Sequence, residues 1–402
     1  MNILYLCDEY PPGRHGGIGT LVQFLAREMA ALGHHVVVTG YYDWGYGGAD
    51  EFVDKGVKVY RFRRKFNNAF FSNKNSLLVR GVYKAFRLSG VFQWDITRSI
   101  KQYHAHVEDI IKEHNIDIIE KPDFSEYVQF CTKYTPLPQL SKPTVAKMNG
   151  TITYFLREAG KEVPGIISQM EKTHLEEADS LASASQYTAD KTKAYLQINR
   201  PVKVLYNGID TNLLTHIPTK KEATVFFSGS LVPKKGIYQL IKAWNIVHQQ
   251  MPNAELLVFG KGPIDKIKQL LTAAAANTVK FKGHVSHSEL FNYLAESNIA
   301  VFPSYAEAFA LAPMEAMACG TAVIYSTRSS GAELITDGEN GFLIDPDDVE
   351  KIADQILYLL NDPNICSAIA QKGKERIKDF DIKQIALEHE IYYSEVIANS
   401  TR

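Results

Sequence analysis

Short apolar runs alternate with longer helix-patterned stretches along almost the whole chain, and the pattern starts again at about Ala223. In the first half, Asn2–Cys7 reads as a strand and is followed by a glycine-rich loop. A helix from about Thr20 to Leu32, closed by Gly33, leads to a strand at Val36–Gly40. Further strands are predicted at Val57–Phe62, Ile116–Ile119, Val145–Met148, Ser180–Ala184 and Val202–Tyr206, with Glu171–Ala178 in a helical stretch. After Thr215–Lys221, which carries Pro218, strands are predicted at Ala223–Ser228, Ala254–Phe259, Val279–Lys282, Asn298–Phe302 and Thr321–Tyr325. Helices near Tyr238–Gln250 and Ile264–Asn277 lie among them. Such alternation predicts an α/β fold of parallel sheets with helices on both faces. A chain of 402 residues exceeds what one core usually serves. Two domains are expected, 1–210 and 211–375, with a mostly helical tail over 376–402.

Composition narrows the functional classes. With 45% hydrophobic residues, 22% charged residues and a net charge of −1, the chain is an ordinary globular one with no general affinity for nucleic acid. Cys7, Cys131, Cys319 and Cys366 are scattered, which argues against a zinc site or a disulfide framework. The apolar start Met1–Cys7 lacks a basic flank and runs straight into Asp8-Glu9, so it reads as a first strand and not a signal peptide. No run approaches membrane-spanning length, and a cytosolic place is expected. The anomaly is Lys55–Lys101, with twelve Lys or Arg, nine aromatics including Phe62, Phe66, Phe70, Phe71 and Trp94, and the single acid Asp95. That mixture suits an anionic membrane surface or a lipid-phosphate acceptor. The plainer reading is a solvated basic face with its aromatics turned inward. Single-stranded nucleic acid would suit the composition too, but nothing else in the sequence supports it.

The densest chemistry lies in Ser304–Gly320, where Glu307 and Glu315 stand eight positions apart directly after a strand. Ligands on parallel sheets collect outside the carboxyl ends of strands. Pro313 suits a first helical turn and Gly320 a stop. Glu315 would then sit near the positive end of the helix, where the dipole alone explains an acid. Glu307 has no such explanation beside bulky Tyr305 and Phe309. Paired hydrolase carboxyls lie about 5–10 Å apart, whereas eight residues of helix cover about 12 Å. Two contacts along an elongated ligand fit better, carboxylates accepting from hydroxyls and helix-start amides holding an anionic group.

Three other segments end strands. Gly13–Thr20 is glycine-rich and opens a helix, a place where backbone approaches a ligand closely, although Gly16, Gly17 and Gly19 fit a nicotinamide fingerprint poorly. Arg14 could add charge there. Phe226–Gly236 sets Ser230, Lys234 and Lys235 in a loop suited to a diphosphate, whose charge grows as a sugar bond breaks. Thr144–Thr151 ends in Asn149-Gly150; Asn149 can hydrogen-bond a hydroxyl but cannot exchange protons. Asn207-Gly208 reads as a turn, and Glu333 as a helix residue behind the site.

Glu307 and Glu315, with Phe302-Pro303-Ser304 before them and Ala316–Gly320 after, resemble the E-x7-E motif of the retaining GT-B glycosyltransferases of family four. The resemblance runs over nearly the whole chain. It implies two Rossmann-like, doubly wound parallel-sheet domains facing across a cleft, with Asn207–Asp210 at the hinge and the last helix returning to the first domain. It implies hexosyl transfer, with retention and without metal or other cofactor, from a nucleotide-diphosphate sugar. The acceptor would be a glycan, a lipid-linked saccharide or a small molecule in cell-envelope polysaccharide or glycoconjugate synthesis. Glu307 and the amides of Ala308, Phe309, Ala310 and Leu311 would hold the donor sugar, Glu315 the ribose, and Lys235 the departing diphosphate. Gly16 and Gly17 would face the diphosphate and acceptor, and His284 or Val285 would flank the base. The chain departs from the family at Ser230, where an Arg is usual, and at Asn149, where a His is common. A guanidinium makes a bidentate phosphate contact that serine cannot. Competing readings are a nucleotide-sugar epimerase or hydrolase on this fold, a non-catalytic nucleotide-sugar binder and, last, a nicotinamide oxidoreductase.

Overall fold

Alternate residues of β1 (Asn2–Leu6) leave the sheet on opposite faces, and both faces are covered. Ile3 and Tyr5 pack with Leu25 and Met29 of helix Gly17–Ala31 and with Tyr393 of helix Ile382–Asn399. Leu4 and Leu6 pack with Ile96, Ile100 and Val107 of helix Val91–Glu113. Burial on both faces is what a parallel sheet requires, and each such aliphatic side chain contributes about 1.5–3 kcal/mol. The computed structural model describes residues 1–13, 15–42, 46–63, 89–212 and 218–400.

The first sheet continues with β2 (His35–Tyr42), β3 (Glu51–Asp54), β4 (Val57–Arg63), β5 (Ile118–Pro122), β6 (Thr144–Met148), β7 (Ser180–Ser183) and β8 (Lys203–Val204). Its order is β3-β4-β2-β1-β5-β6-β7-β8. Every pairing is parallel except β3 with β4. That hairpin was not expected from sequence. Its two-residue turn is Lys55-Gly56, with φ of 48° and 90°, the doubly left-handed turn that matches strand twist. Val53 on this edge strand is 68% exposed, so hydrophobic patterning could not reveal it.

The second sheet comprises β9 (Thr224–Ser228), β10 (Glu255–Phe259), β11 (Val279–Gly283), β12 (Ile299–Phe302), β13 (Ala322–Ser326) and β14 (Phe342–Ile344), in the order β11-β10-β9-β12-β13-β14. All of its pairings are parallel. Trp244 of helix Ile237–Gln250 is fully buried in the core of this sheet, and its indole N–H reaches Thr278 Oγ1 at 3.0 Å. The helix expected over 264–277 stops early, at Ile264–Lys268, with a 3₁₀ turn at Ala275–Thr278. Asn245 accounts for this: its amide donates to Leu270 O at 2.8 Å and accepts from Thr272 N at 2.9 Å. A tertiary contact thus overrides a run of good helix formers.

The chain forms two compact units, Met1–Ala184 with Thr188–Gly208 and Ile382–Arg402, and Ser185–Tyr187 with Ile209–Asp381. Two helices meet in the first unit, Gly17–Ala31 and the final one, Ile382–Asn399. In the described part of the basic segment, Arg61 is buried. Its guanidinium donates to the carbonyls of Tyr10, Pro12, Gly47 and Ala49 and stacks over Tyr42, Tyr46 and Phe52. Phe62 lies between Tyr41, Tyr103 and His106. These residues therefore work inside the fold. Trp94 is 63% exposed, with Arg98 stacked over it. Phe66, Phe70 and Phe71 lie outside the described residues. Among those described, no helix is long and apolar enough to cross a membrane.

Candidate active site

The chain runs outward from β9 to β10 and β11, then returns to lay β12 on the other side of β9. Connections therefore leave β9 and β12 in opposite directions, which opens a crevice at their carboxyl ends. The loops at that point carry Lys235 and Glu307. Pro233–Lys235 forms a 3₁₀ turn ended by Gly236 at φ 70°. A Cβ on Gly236 would stand 1.8 Å from the carbonyl oxygen of Pro303, so the turn lies directly on the residue after β12. Tyr305 N donates to Lys234 O at 2.8 Å and stitches the two loops again. With both backbones fixed, Lys235 Nζ pairs with Glu307 Oε1. Their side chains remain 25% and 13% exposed, open enough for a ligand to reach them.

Ser230 is exposed in the same loop. That loop is braced by the one after β10: a Cβ on Gly260 would stand 1.8 Å from Gly229 O, and one on Gly262 2.5 Å from Leu231 O. His284 and Val285 follow β11, the edge strand, two strands from β9. Ala308 O accepts from Ser185 Oγ at 2.7 Å, and Phe309 packs against Phe380 with ring centroids 5.3 Å apart. Helix Leu311–Ala318 starts at Ala310 with no side-chain cap. The carboxylate of Glu333 accepts from the amides of Gln186 and Tyr187 at 2.7 and 2.8 Å, all three residues being in the second unit.

Glu315 differs from expectation. It is the fifth residue of its helix, beyond the first turn, so the dipole does not account for it. It is 8% exposed, and burial pushes its carboxyl up to about 7. An unfolded glutamate titrates near about 4.3. The folded form therefore holds the proton more tightly, and the stability this contributes is complete below about pH 4 and lost as pH rises to about 7. Glu315→Gln should flatten that slope and be more stable than wild type at about pH 8, by on the order of 3 kcal/mol. Denaturant melts of both proteins at about pH 5 and about pH 8 check this; equal differences at the two values would refute it.

The first unit has its own switch point, between β1 and β5. Two acids that sequence reasoning passed over stand there. Asp123 follows β5, is fully buried, and is pushed up to about 8 chiefly by burial. Its Oδ2 accepts from Asn149 N at 3.0 Å. Its Oδ1 and Asn149 Oδ1 are buried without partners among the described residues. Glu9 follows β1 and accepts from the amides of Gly16 and Gly19. An acid just past a strand end was the available signal, the same one that singled out Glu307. Gly16 and Gly17 are exposed. Asn149, Gly16 and Gly17 belong to the first unit; Lys235, Glu307 and Glu315 belong to the second. Arg14 lies outside the described residues.

Residues 15–213 match the family described as Glycosyltransferase Family 4, and residues 215–376 match Glycosyl transferases group 1. The chain belongs to these glycosyltransferases. Glycogen synthase of Mycobacterium tuberculosis is 26% identical over 405 residues, covering 96% of this chain and 92% of that protein. The GDP-mannose-dependent monoacylated alpha-(1-6)-phosphatidylinositol monomannoside mannosyltransferase of Corynebacterium glutamicum is 28% identical over 258 residues, covering 58% and 67%. Sucrose-phosphate synthase from Thermosynechococcus elongatus superposes with a TM-score of 0.75 at 21% identity, covering 100% of both chains. The architecture of this glycosyltransferase is GT-B, with two parallel-sheet α/β domains.

Proposed function

We propose that this glycosyltransferase moves a hexose, with retention and without a metal, from a nucleotide-diphosphate sugar to a glycan, lipid-linked or small-molecule acceptor. The observation that carries the reading is the Lys235–Glu307 pair at the switch point of the second sheet. In this reading Lys235 stabilises the charge that grows on the departing diphosphate. Glu307 and the amides of Ala308–Leu311 orient the donor sugar, and Glu315, buried and without an ion pair among the described residues, accepts from the ribose hydroxyls. Asn149 hydrogen-bonds a sugar hydroxyl without exchanging protons. Gly16 and Gly17 line the acceptor side. The glycogen synthase and mannosyltransferase similarities support a saccharide acceptor in polysaccharide or glycolipid synthesis. Trp94 with Arg98 over it supports work at the inner membrane face where the acceptor is lipid-linked.

Ser230 in the place of a guanidinium favours a second reading, a binder that holds the nucleotide sugar without turning it over. A thermal-shift screen of UDP, ADP and GDP sugars separates the readings. Ligand binding at 100 times its Kd stabilises by about 2.7 kcal/mol, enough to select one nucleotide. Transfer of sugar from the selected donor to an acceptor, with its anomeric configuration read by NMR, then supports the transferase, whereas release to water alone supports a hydrolase. Selective binding without turnover across an acceptor panel supports the binder, and no selective binding defeats both.

A further inference from the structure

Asp123 stands directly after β5 and Asn149 directly after β6, its neighbour in the first sheet. Asn149 N donates to Asp123 Oδ2 at 3.0 Å. The other oxygen of each side chain, Asp123 Oδ1 and Asn149 Oδ1, is buried without a partner among the described residues. While Asp123 is ionised, both of these oxygens can only accept, so neither can satisfy the other. Two unsatisfied acceptors in one buried place are costly. A single proton on Asp123 resolves the conflict. It turns the carboxyl into a donor, and Asn149 Oδ1 is an open acceptor on the residue that this carboxyl already holds.

The surroundings favour that proton. Asp123 is fully buried, and among the described residues the charge that bears on it is another acid, Glu171 of helix Gly165–Glu176. Glu171 accepts from the amides of Ile152 and Thr153 at 2.7 and 3.1 Å. His174 of the same helix donates from Nε2 to Pro122 O at 2.8 Å, and burial lowers its ring to about 3, so it stays neutral. The ammonium of Lys121 donates to His174 O at 3.1 Å, and the Tyr127 hydroxyl donates to Thr135 O at 3.1 Å. Two neighbouring carboxyls buried without a counter-ion do not both ionise readily. Burial, reinforced by the Glu171 charge, pushes Asp123 up to about 8.

We propose that Asp123 is a positioning residue whose protonated carboxyl donates to Asn149 Oδ1 and so leaves the Asn149 amide nitrogen to the substrate. Among the described residues that nitrogen makes one long contact, 3.4 Å to Lys147 O, and it can donate to a hydroxyl oxygen. When Asp123 ionises, its Oδ1 repels Asn149 Oδ1, and the amide no longer presents its nitrogen outward. The part played toward the substrate rests on the transferase reading. The proton between the two side chains does not.

Asp123→Asn keeps the shape and carries a donor at every pH, so it separates the proton from the side chain. In protein labelled with ¹⁵N-asparagine, the side-chain amide signals of Asn149 are identified by their loss in Asn149→Ser. They should shift with pH about a midpoint near 8 in wild type and stay still in Asp123→Asn. With a nucleotide sugar that turns over, kcat/KM is compared in the two proteins across the same range. The ratio of Asp123→Asn to wild type should rise about tenfold between about pH 7 and about pH 9, whatever its level at the lower value. If Asp123→Asn does not fold, the wild-type titration decides alone. Asn149 signals that do not titrate, or a shift that persists in Asp123→Asn, overturn the proposal. A ratio that stays level or falls does so too, as an ionised Asp123 accepting from a turned Asn149 amide would give. Should no nucleotide sugar turn over in wild type, the transferase reading fails separately, and the titration still decides the proton.

Discussion

Glu307→Gln should lower kcat about 100-fold or more while leaving the protein folded. The substitution keeps the shape and removes the charge, so it tests the carboxylate and not the volume. The two expected magnitudes separate cleanly. The Lys235–Glu307 pair is part-buried, its side chains 25% and 13% exposed, so with partial solvent screening it adds on the order of 1 kcal/mol to stability. A 100-fold rate loss is about 2.7 kcal/mol of barrier, which stability cannot supply. Steady-state kinetics with the donor selected by thermal shift, beside a melting curve, reads both. Full activity in Glu307→Gln would falsify the assignment of this carboxylate to the donor sugar.

Gly236→Ala should be the more disruptive change, although it touches neither charged group. Gly236 holds φ at 70°, and a Cβ there would stand 1.8 Å from Pro303 O and 2.6 Å from Pro303 C. Neither neighbour is a flexible side-chain end, so the two loops must separate. Left-handed strain and the backbone clash together should cost about 3 kcal/mol or more, a fall in melting temperature of roughly 6–12 °C for a unit of this size. Activity should fall with it, because the loops that separate are those that bring Lys235 to Glu307. Gly17→Ala is the contrast: its Cβ meets nothing within 4 Å, and its stability should stay within about 0.5 kcal/mol of wild type. Equal melting temperatures for the two variants would show that the Gly236–Pro303 approach does not hold the site.

Much of this was legible in the amino-acid order. Strand and helix periods alternate twice, and a parallel sheet buried on both faces demands near-continuous apolar runs such as Asn2–Leu6 and Ile299–Phe302. Those runs are local, so they survive reading one residue at a time. The Glu307–Glu315 segment is equally local, and it led to the family that residues 15–213 and 215–376 match. The β3–β4 hairpin was not legible, because its edge strand is half-exposed and its turn depends on a left-handed lysine. Neither was the early stop at Lys268, which Asn245 imposes from another helix.

The chemistry of the site divides in the same way. Which residue types stand at the strand ends is a property of sequence: Lys235 after β9, Glu307 after β12, Asn149 after β6. Which of them meet is a property of strand order, since β9 and β12 are neighbours only because the chain reverses its direction across the sheet. Tertiary structure also moved Glu315 beyond the dipole's reach into a buried place. It set Glu9 on the Gly16 and Gly19 amides, a contact spanning seven and ten residues that no helical or strand period encodes. Periodicity reports which face of an element is buried; pairing and pKa depend on what the rest of the chain brings to that face.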